Sequence, residues 1–160
     1  MPTTIDSAGI TFNDTTSLTS ANIGTAQLVN GSVIASKLGT TEQKQICKAW
    51  VNFDGTNAFS PNPSTTAIRS SYNVSSVTKN GTGDYTVNFT TPMADANYNV
   101  SGSVVSSDGT TRRGMILDLN SLNNTSTPLL TTSARIRTIY VNSDPQPGDT
   151  TIVTLSIFGN

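Results

Sequence analysis

The chain has 160 residues, of which 34 % are apolar and 12 % charged, with a formal net charge of −1, one cysteine and no histidine. This composition excludes a disulfide framework, Ser-His-Asp or Cys-His catalysis, and a phosphate groove, which needs Lys and Arg gathered on one face. Low hydrophobicity without high net charge, with Thr-rich runs among Val, Ile, Tyr and Phe, reads as ordered pleated sheet rather than disorder.

In chain order, Met1-Pro2-Thr3-Thr4-Ile5-Asp6 lacks the basic start and apolar run of a leader peptide. No stretch reaches the roughly 18 apolar residues of a membrane span. Residues 1–17 precede the repeat. From Leu18 a ten-residue period sets in: Leu18, Leu28 and Leu38 keep it, as do Ile23 with Val33 and Ala26 with Ser36. Each unit has too few apolar residues to offset about 1–2 kcal/mol of backbone entropy per residue. Residues 18–46 therefore either stack on copies of themselves as a thin rod or form a Ser/Thr/Gly linker.

From Cys47 the pattern has period two. Ala49, Val51 and Phe53 alternate with Lys48, Trp50 and Asn52, and Tyr85, Val87 and Phe89 with Thr86, Asn88 and Thr90. Tyr98, Val100 and Val104 share a face with Gly102. Met115, Leu117 and Leu119 oppose Gly114, Ile116 and Asp118, and Val153, Leu155 and Ile157 oppose Ile152, Thr154, Ser156 and Phe158. A strand around Tyr72–Thr78 breaks the alternation, and a bulge near Ser75-Ser76 restores it. Asn80-Gly81-Thr82-Gly83 and Asp108-Gly109 read as hairpin turns, while Pro145 and Pro147 bar regular structure between the last two strands. The dispersed Arg112-Arg113 and Arg135/Arg137 pairs read as solvated strand positions. Cys47 is either a small buried residue or half of an interchain bridge. About seven such strands predict an all-β, antiparallel, jelly-roll-like sandwich head over 47–160.

Gly9-Ile10-Thr11-Phe12-Asn13-Asp14-Thr15-Thr16, the unit Gly31–Leu38, and three stretches of the head carry a resemblance. Those stretches run from Lys48 to Thr56, from Ile68 to Val77 and from Asn80 to Phe89. Together they resemble the tail-fibre and related fibre proteins of tailed bacteriophages, notably cyanobacterial and marine phages, over nearly the whole chain. The first motif departs at Asn13 and Thr15, where the family often has Pro and Gly. The resemblance implies a homotrimer on the virion, assembled in the host cytoplasm and docked through residues 1–17 on another virion protein. Leu18, Ile23, Leu28, Val33 and Leu38 would then form apolar layers around a threefold axis. It transfers no catalytic residue and no cofactor.

The acidic residues Asp54, Asp84, Asp108, Asp144 and Asp149 sit beside glycine or proline, where they bond local backbone. They offer no carboxylate pair of the kind a glycosidase uses. Asn142, Asp144 and Asp149 match no known calcium loop, so no metal is expected. If every connection reverses the chain, loops 79–83, 107–111 and 142–150 lie where the chain enters the head. Loops 54–66, 91–97 and 120–133 then lie at the far tip, as does the C-terminus. That assigns ligand contacts to Asn57, Phe59, Asn62, Asn97, Asn123 and Asn124, amides for sugar hydroxyls and an aromatic for a sugar face. Phe59 could instead fold back onto the head. Trp50, opposite Val51 and Phe53, reads as an intersubunit or second-face core residue rather than a ligand platform. The expected function is host-surface glycan adhesion by a non-enzymatic fibre, or alternatively a capsid-decorating fibre or tail adaptor with no receptor.

Overall fold

The alternating segments become strands that bury one face each. A computed structural model describes residues 4–6, 9–11, 17–18, 34, 37–105, 113–116, 128–141 and 146–159. The chain divides into two compact units, residues 1–39 and 40–160. In the first, β1 (Thr4–Asp6), β2 (Gly9–Thr11) and β3 (Ser17–Leu18) form an antiparallel meander in which Leu18 lies opposite Ile10. Of the other residues assigned to a trimer stem, Leu38 is half-buried, and Ile23, Leu28 and Val33 lie outside the described residues.

The second unit starts with helix α1 (Thr40–Gln45), within the segment assigned to the stem. Glu42 in its first turn and Lys44 in its last complement the helix dipole. None of its residues is buried. Among the described residues no helix is long and apolar enough to cross a membrane.

Two antiparallel sheets follow. The first has the order β5-β4-β12-β8, from β4 (Cys47–Phe53), β5 (Ile68–Tyr72), β8 (Asn99–Val105) and β12 (Ile152–Phe158). The second joins β6 (Val74–Gly81), β7 (Asp84–Phe89) and β11 (Ser133–Tyr140). The other edge of β11 is shared by β10 (Leu129–Leu130) at its start and β9 (Arg113–Ile116) at its end. Ala49, Val51, Phe53, Val153, Leu155 and Ile157 from the first sheet meet Val77, Tyr85, Val87, Phe89, Ala134 and Ile136 from the second in one core. Alternation assigns the residues at 49, 51, 53, 85, 87, 89, 153, 155 and 157 to these inward faces. β8 and β9 belong to different sheets, and Asp108-Gly109, expected as a hairpin turn, lies outside the described residues.

Position 73 redirects the chain. The segment expected as one strand around Tyr72–Thr78 is two, β5 in one sheet and β6 in the other, with Asn73 at the corner at φ 55°. The bulge expected near Ser75-Ser76 is present as a register shift between Val74 and Ser76. Asparagine tolerates this left-handed conformation better than most residues. Its amide also ties the corner: Nδ2 donates to the carbonyls of Lys48 and Thr91, both at 3.1 Å, and Oδ1 accepts from the Thr91 amide at 2.7 Å.

Asn73→Ala is expected to cost about 2–3 kcal/mol in urea unfolding, combining lost hydrogen bonds with left-handed strain. Asn73→Gly, which loses the same hydrogen bonds but relieves the left-handed strain, should recover about 1 kcal/mol of that. Equal losses in the two variants would mean that the backbone conformation contributes nothing.

Candidate functional site

The corner at Asn73 adds one reversal to the path, and it overturns the expected distribution of loops. Phe53 pairs with Val153, and the Gly55 amide donates to the Thr150 carbonyl at 2.9 Å. Loop 54–66 therefore lies with turn 79–83 and residues 146–150, at the end opposite Cys47. Phe158 pairs with both Cys47 and Asn99, so the last strand finishes where the chain enters the head, beside Asn97. Asn57, Phe59 and Asn62 are thus at one end and Asn97 at the other, and they form no single site. Asn123 and Asn124 lie outside the described residues.

Nor does loop 54–66 present its side chains as expected. Phe59 is 5 % exposed, its ring 5.9 Å from that of Tyr85, with Lys79 Nζ 5.5 Å above it. Its φ of 46° costs about 1–3 kcal/mol, and burying an aromatic ring returns about as much. The Asn62 amide mimics a strand, donating to the Lys79 carbonyl at 2.8 Å and accepting from the Lys79 amide at 3.0 Å. With the backbone bridge between Ser64 and Val77, it covers the free edge of β6. Asn57 Nδ2 reaches the Thr66 carbonyl at 3.5 Å. Asn97 remains exposed, its amide bonded to Asp95 Oδ1 at 2.7 Å.

At the same end a polar cluster locks three loops. Asp149 accepts from Lys79 Nζ at 2.7 Å, the Tyr85 hydroxyl at 2.6 Å and the Gly83 amide at 2.8 Å. Burial alone would raise the Asp149 pKa, but the hydrogen bonds from Lys79, Tyr85 and Gly83 outweigh it and hold the carboxyl below its ordinary value. Burial, together with the Asp149 charge, pushes the Tyr85 phenol up. Every polar atom of the cluster is aimed at another loop, so its chemistry is structural. Asn142 and Asp144 lie outside the described residues, and Asp149 is already engaged.

The two outer sheet faces differ. On the second sheet Asn88 donates to Ser76 and Thr78, and Asn80 to Asp84 and Thr86. Arg135 grips Asp84 through Nε at 2.8 Å and Nη2 at 2.5 Å. Burial would raise the Asp84 pKa, yet the hydrogen bonds from Arg135 and Asn80 bring it below the ordinary value. Arg137, expected to be solvated, is 7 % exposed. It lies between Asp84 of β7 and Ile116 of β9, whose strands cover both its sides. On this face Asn80, Asp84, Asn88 and Arg135 are thus engaged with their own neighbours.

The outer face of the first sheet is composed differently. Lys48, Trp50 and Asn52 point away from the core by alternation with Ala49, Val51 and Phe53. Trp50, 37 % exposed, pairs directly with Tyr72, 59 % exposed, on β5 and with Ser156 on β12. The neighbouring row places Asn52 between Ser70 and Thr154, with Ser103 beyond. Arg69, in the bulge opposite Asn52 and Phe53, bonds Asn52 Oδ1 at 3.4 Å and forms an ion pair with Asp54 at 2.8 Å. Two large aromatic side chains thus stand in water on a sheet face that also carries hydroxyls and amides, with Ile152 and Phe158 on β12 and the exposed Val105 on β8. Aromatic rings set among such groups can stack on a sugar face while the polar neighbours exchange hydrogen bonds with its hydroxyls. Trp50 was legible as outward-facing from alternation. Tyr72 was not, because its partner across the ladder depends on where β5 ends. Comparison with known proteins finds no matching family model, no matching curated protein and no matching solved structure.

Proposed function

We propose that the chain is a non-enzymatic bacteriophage virion fibre protein, a tail fibre that attaches to host-surface glycan through its head. The proposal keeps the homotrimer, with residues 18–46 as its stem segment and residues 1–17 docked on another virion protein. It moves the contact surface from the loops to the outer face of the first sheet. The observation that carries it is the exposed Trp50–Tyr72 pair. Leaving such rings in water forgoes about 25 cal/mol per Å² of apolar burial, and a sugar face recovers it. One contact of this kind is weak, and three heads on a trimer with many fibres per virion supply avidity.

Fluorescently labelled protein is expected to bind host cells with a solution mass near three times 16.8 kDa. Trp50→Ala with Tyr72→Ala should reduce cell binding at least tenfold, because each stacked base or sugar-sized ring contributes about 1–3 kcal/mol by analogy with aromatic stacking on nucleobases. Unchanged binding by the double variant would remove this face from adhesion. A structural fibre without a receptor is the competing reading, favoured by the inward engagement of Phe59, Asn57 and Asn62. No binding of the wild-type protein to any host cell would select it.

A further inference from the structure

The charges around the aromatic pair are unequal. Arg69 and Asp54 neutralise each other. Lys48, half-buried two residues before Trp50 on β4, has no carboxylate partner among the described residues. It occupies a fixed place, the bulge where Cys47 rather than Lys48 pairs with Phe158. Its own carbonyl is held by Asn73, the residue after Tyr72. One lysine without a carboxylate partner among the described residues therefore lies on the strand of Trp50, on a sheet face that carries two exposed rings among hydroxyls, amides and a few apolar side chains.

Resting on the glycan-adhesion reading, we infer that this face selects an acidic polysaccharide. The sugar ring stacks on Trp50 and Tyr72, and a carboxylate or sulfate on the same or next sugar meets Lys48. A neutral glycan would leave the ammonium without a partner, and a basic one would be repelled by it. A second copy of the chain is a poorer occupant, since self-association about a twofold or threefold axis would bring like Lys48 charges toward one another.

The test is affinity electrophoresis and calorimetric titration with polygalacturonate, alginate and hyaluronate, beside methyl-esterified polygalacturonate and dextran. The protein is expected to be retarded by at least one acidic polymer and to bind the esterified polymer about tenfold more weakly. Binding to the acidic polymer should weaken as salt shortens the screening length to below 10 Å. Lys48→Gln should lose about tenfold on the acidic polymer and nothing on the esterified one, and Lys48→Arg should restore binding, as expected of a charge-assisted contact. Tyr72→Ala, at the more exposed ring, should weaken both.

Retardation by neutral polymers only, by none of the acidic ones, or binding indifferent to Lys48→Gln would overturn the inference. If host-cell binding is nevertheless lost in the Trp50/Tyr72 variant, adhesion stands and only the acidic selectivity falls. A solution mass that drops in Trp50→Ala or Tyr72→Ala would assign the face to a second copy and overturn the inference.

Discussion

Gly83→Ala is expected to destabilise the head by about 4 kcal/mol and to lower its melting temperature by roughly 15 °C. Gly83 has φ +64°, and a Cβ added there would lie 2.5 Å from the Thr138 carbonyl oxygen and 2.6 Å from the Gly148 nitrogen. Both obstacles are backbone. Neither can rotate away, and both hold hydrogen bonds that a shift would break: Thr138 N donates to Gly83 O at 2.8 Å, and Gly148 N to Thr138 O at 3.0 Å. Left-handed strain contributes about 1–2 kcal/mol, and forced displacement of well-packed neighbours about 1–3 more. Gly81, in the same turn, has open space around the position of a Cβ. Gly81→Ala should therefore stay within about 1 kcal/mol of wild type. Thermal and urea unfolding of the two variants checks the contrast, and similar losses at both positions would refute the steric account.

The second large effect is expected at Asp149. Asp149→Ala removes the acceptor for a lysine, a tyrosine and a backbone amide at once. It leaves the Lys79 ammonium, with a side chain only 22 % exposed, without its counter-charge. Breaking one side of a pair sheltered this far should cost about 3 kcal/mol at neutral pH. The same carboxylate gives the head a signature in acid. Its pKa is lowered in the folded state from an ordinary 3.8, so as pH falls the unfolded chain takes up the proton first. The stabilisation is complete above the ordinary value and is lost as pH falls through the folded one. Wild type should show a steep loss of stability below about pH 4, and Asp149→Ala a shallower one. Parallel acid limbs would show that the stabilisation comes from elsewhere, with Asp84 and Arg135 the next candidates.

Much of the sandwich was readable because period two is a strong signal wherever one face is buried. Ala49-Val51-Phe53, Tyr85-Val87-Phe89 and Val153-Leu155-Ile157 all point inward as alternation requires. The bulge after Val74 was readable for the same reason, as a break in that period. The corner one residue earlier was not, because a single left-handed asparagine leaves no periodic trace. That one residue mattered most for function: counting one reversal too few exchanged the ends of the molecule and grouped Asn97 with Asn57. Phe59 misled for a different reason. An aromatic in a Pro- and Asn-rich loop looks exposed until Asn62 and Ser64 are seen to lie along β6 and carry the loop inward. Arg137 looked solvated because sequence alone does not say how many strands flank its own. Trp50 was correctly turned outward, but alternation cannot name what stands beside it, and Tyr72 emerged only from the ladder between β4 and β5.

The position of β4 also decides how the head carries a mechanical load. Trp50 lies three residues beyond Cys47 on a strand paired on both sides, with β5 and β12. A pull on the chain at Ile46 runs along that one strand, whose inward residues Ala49, Val51 and Phe53 belong to the core. Tension is directed along β4 and across its hydrogen bonds, so those in both flanking ladders share the strain together instead of opening one after another. The loops at the opposite end, with the Lys79–Asp149 lock, lie beyond the point where such a load enters the strand.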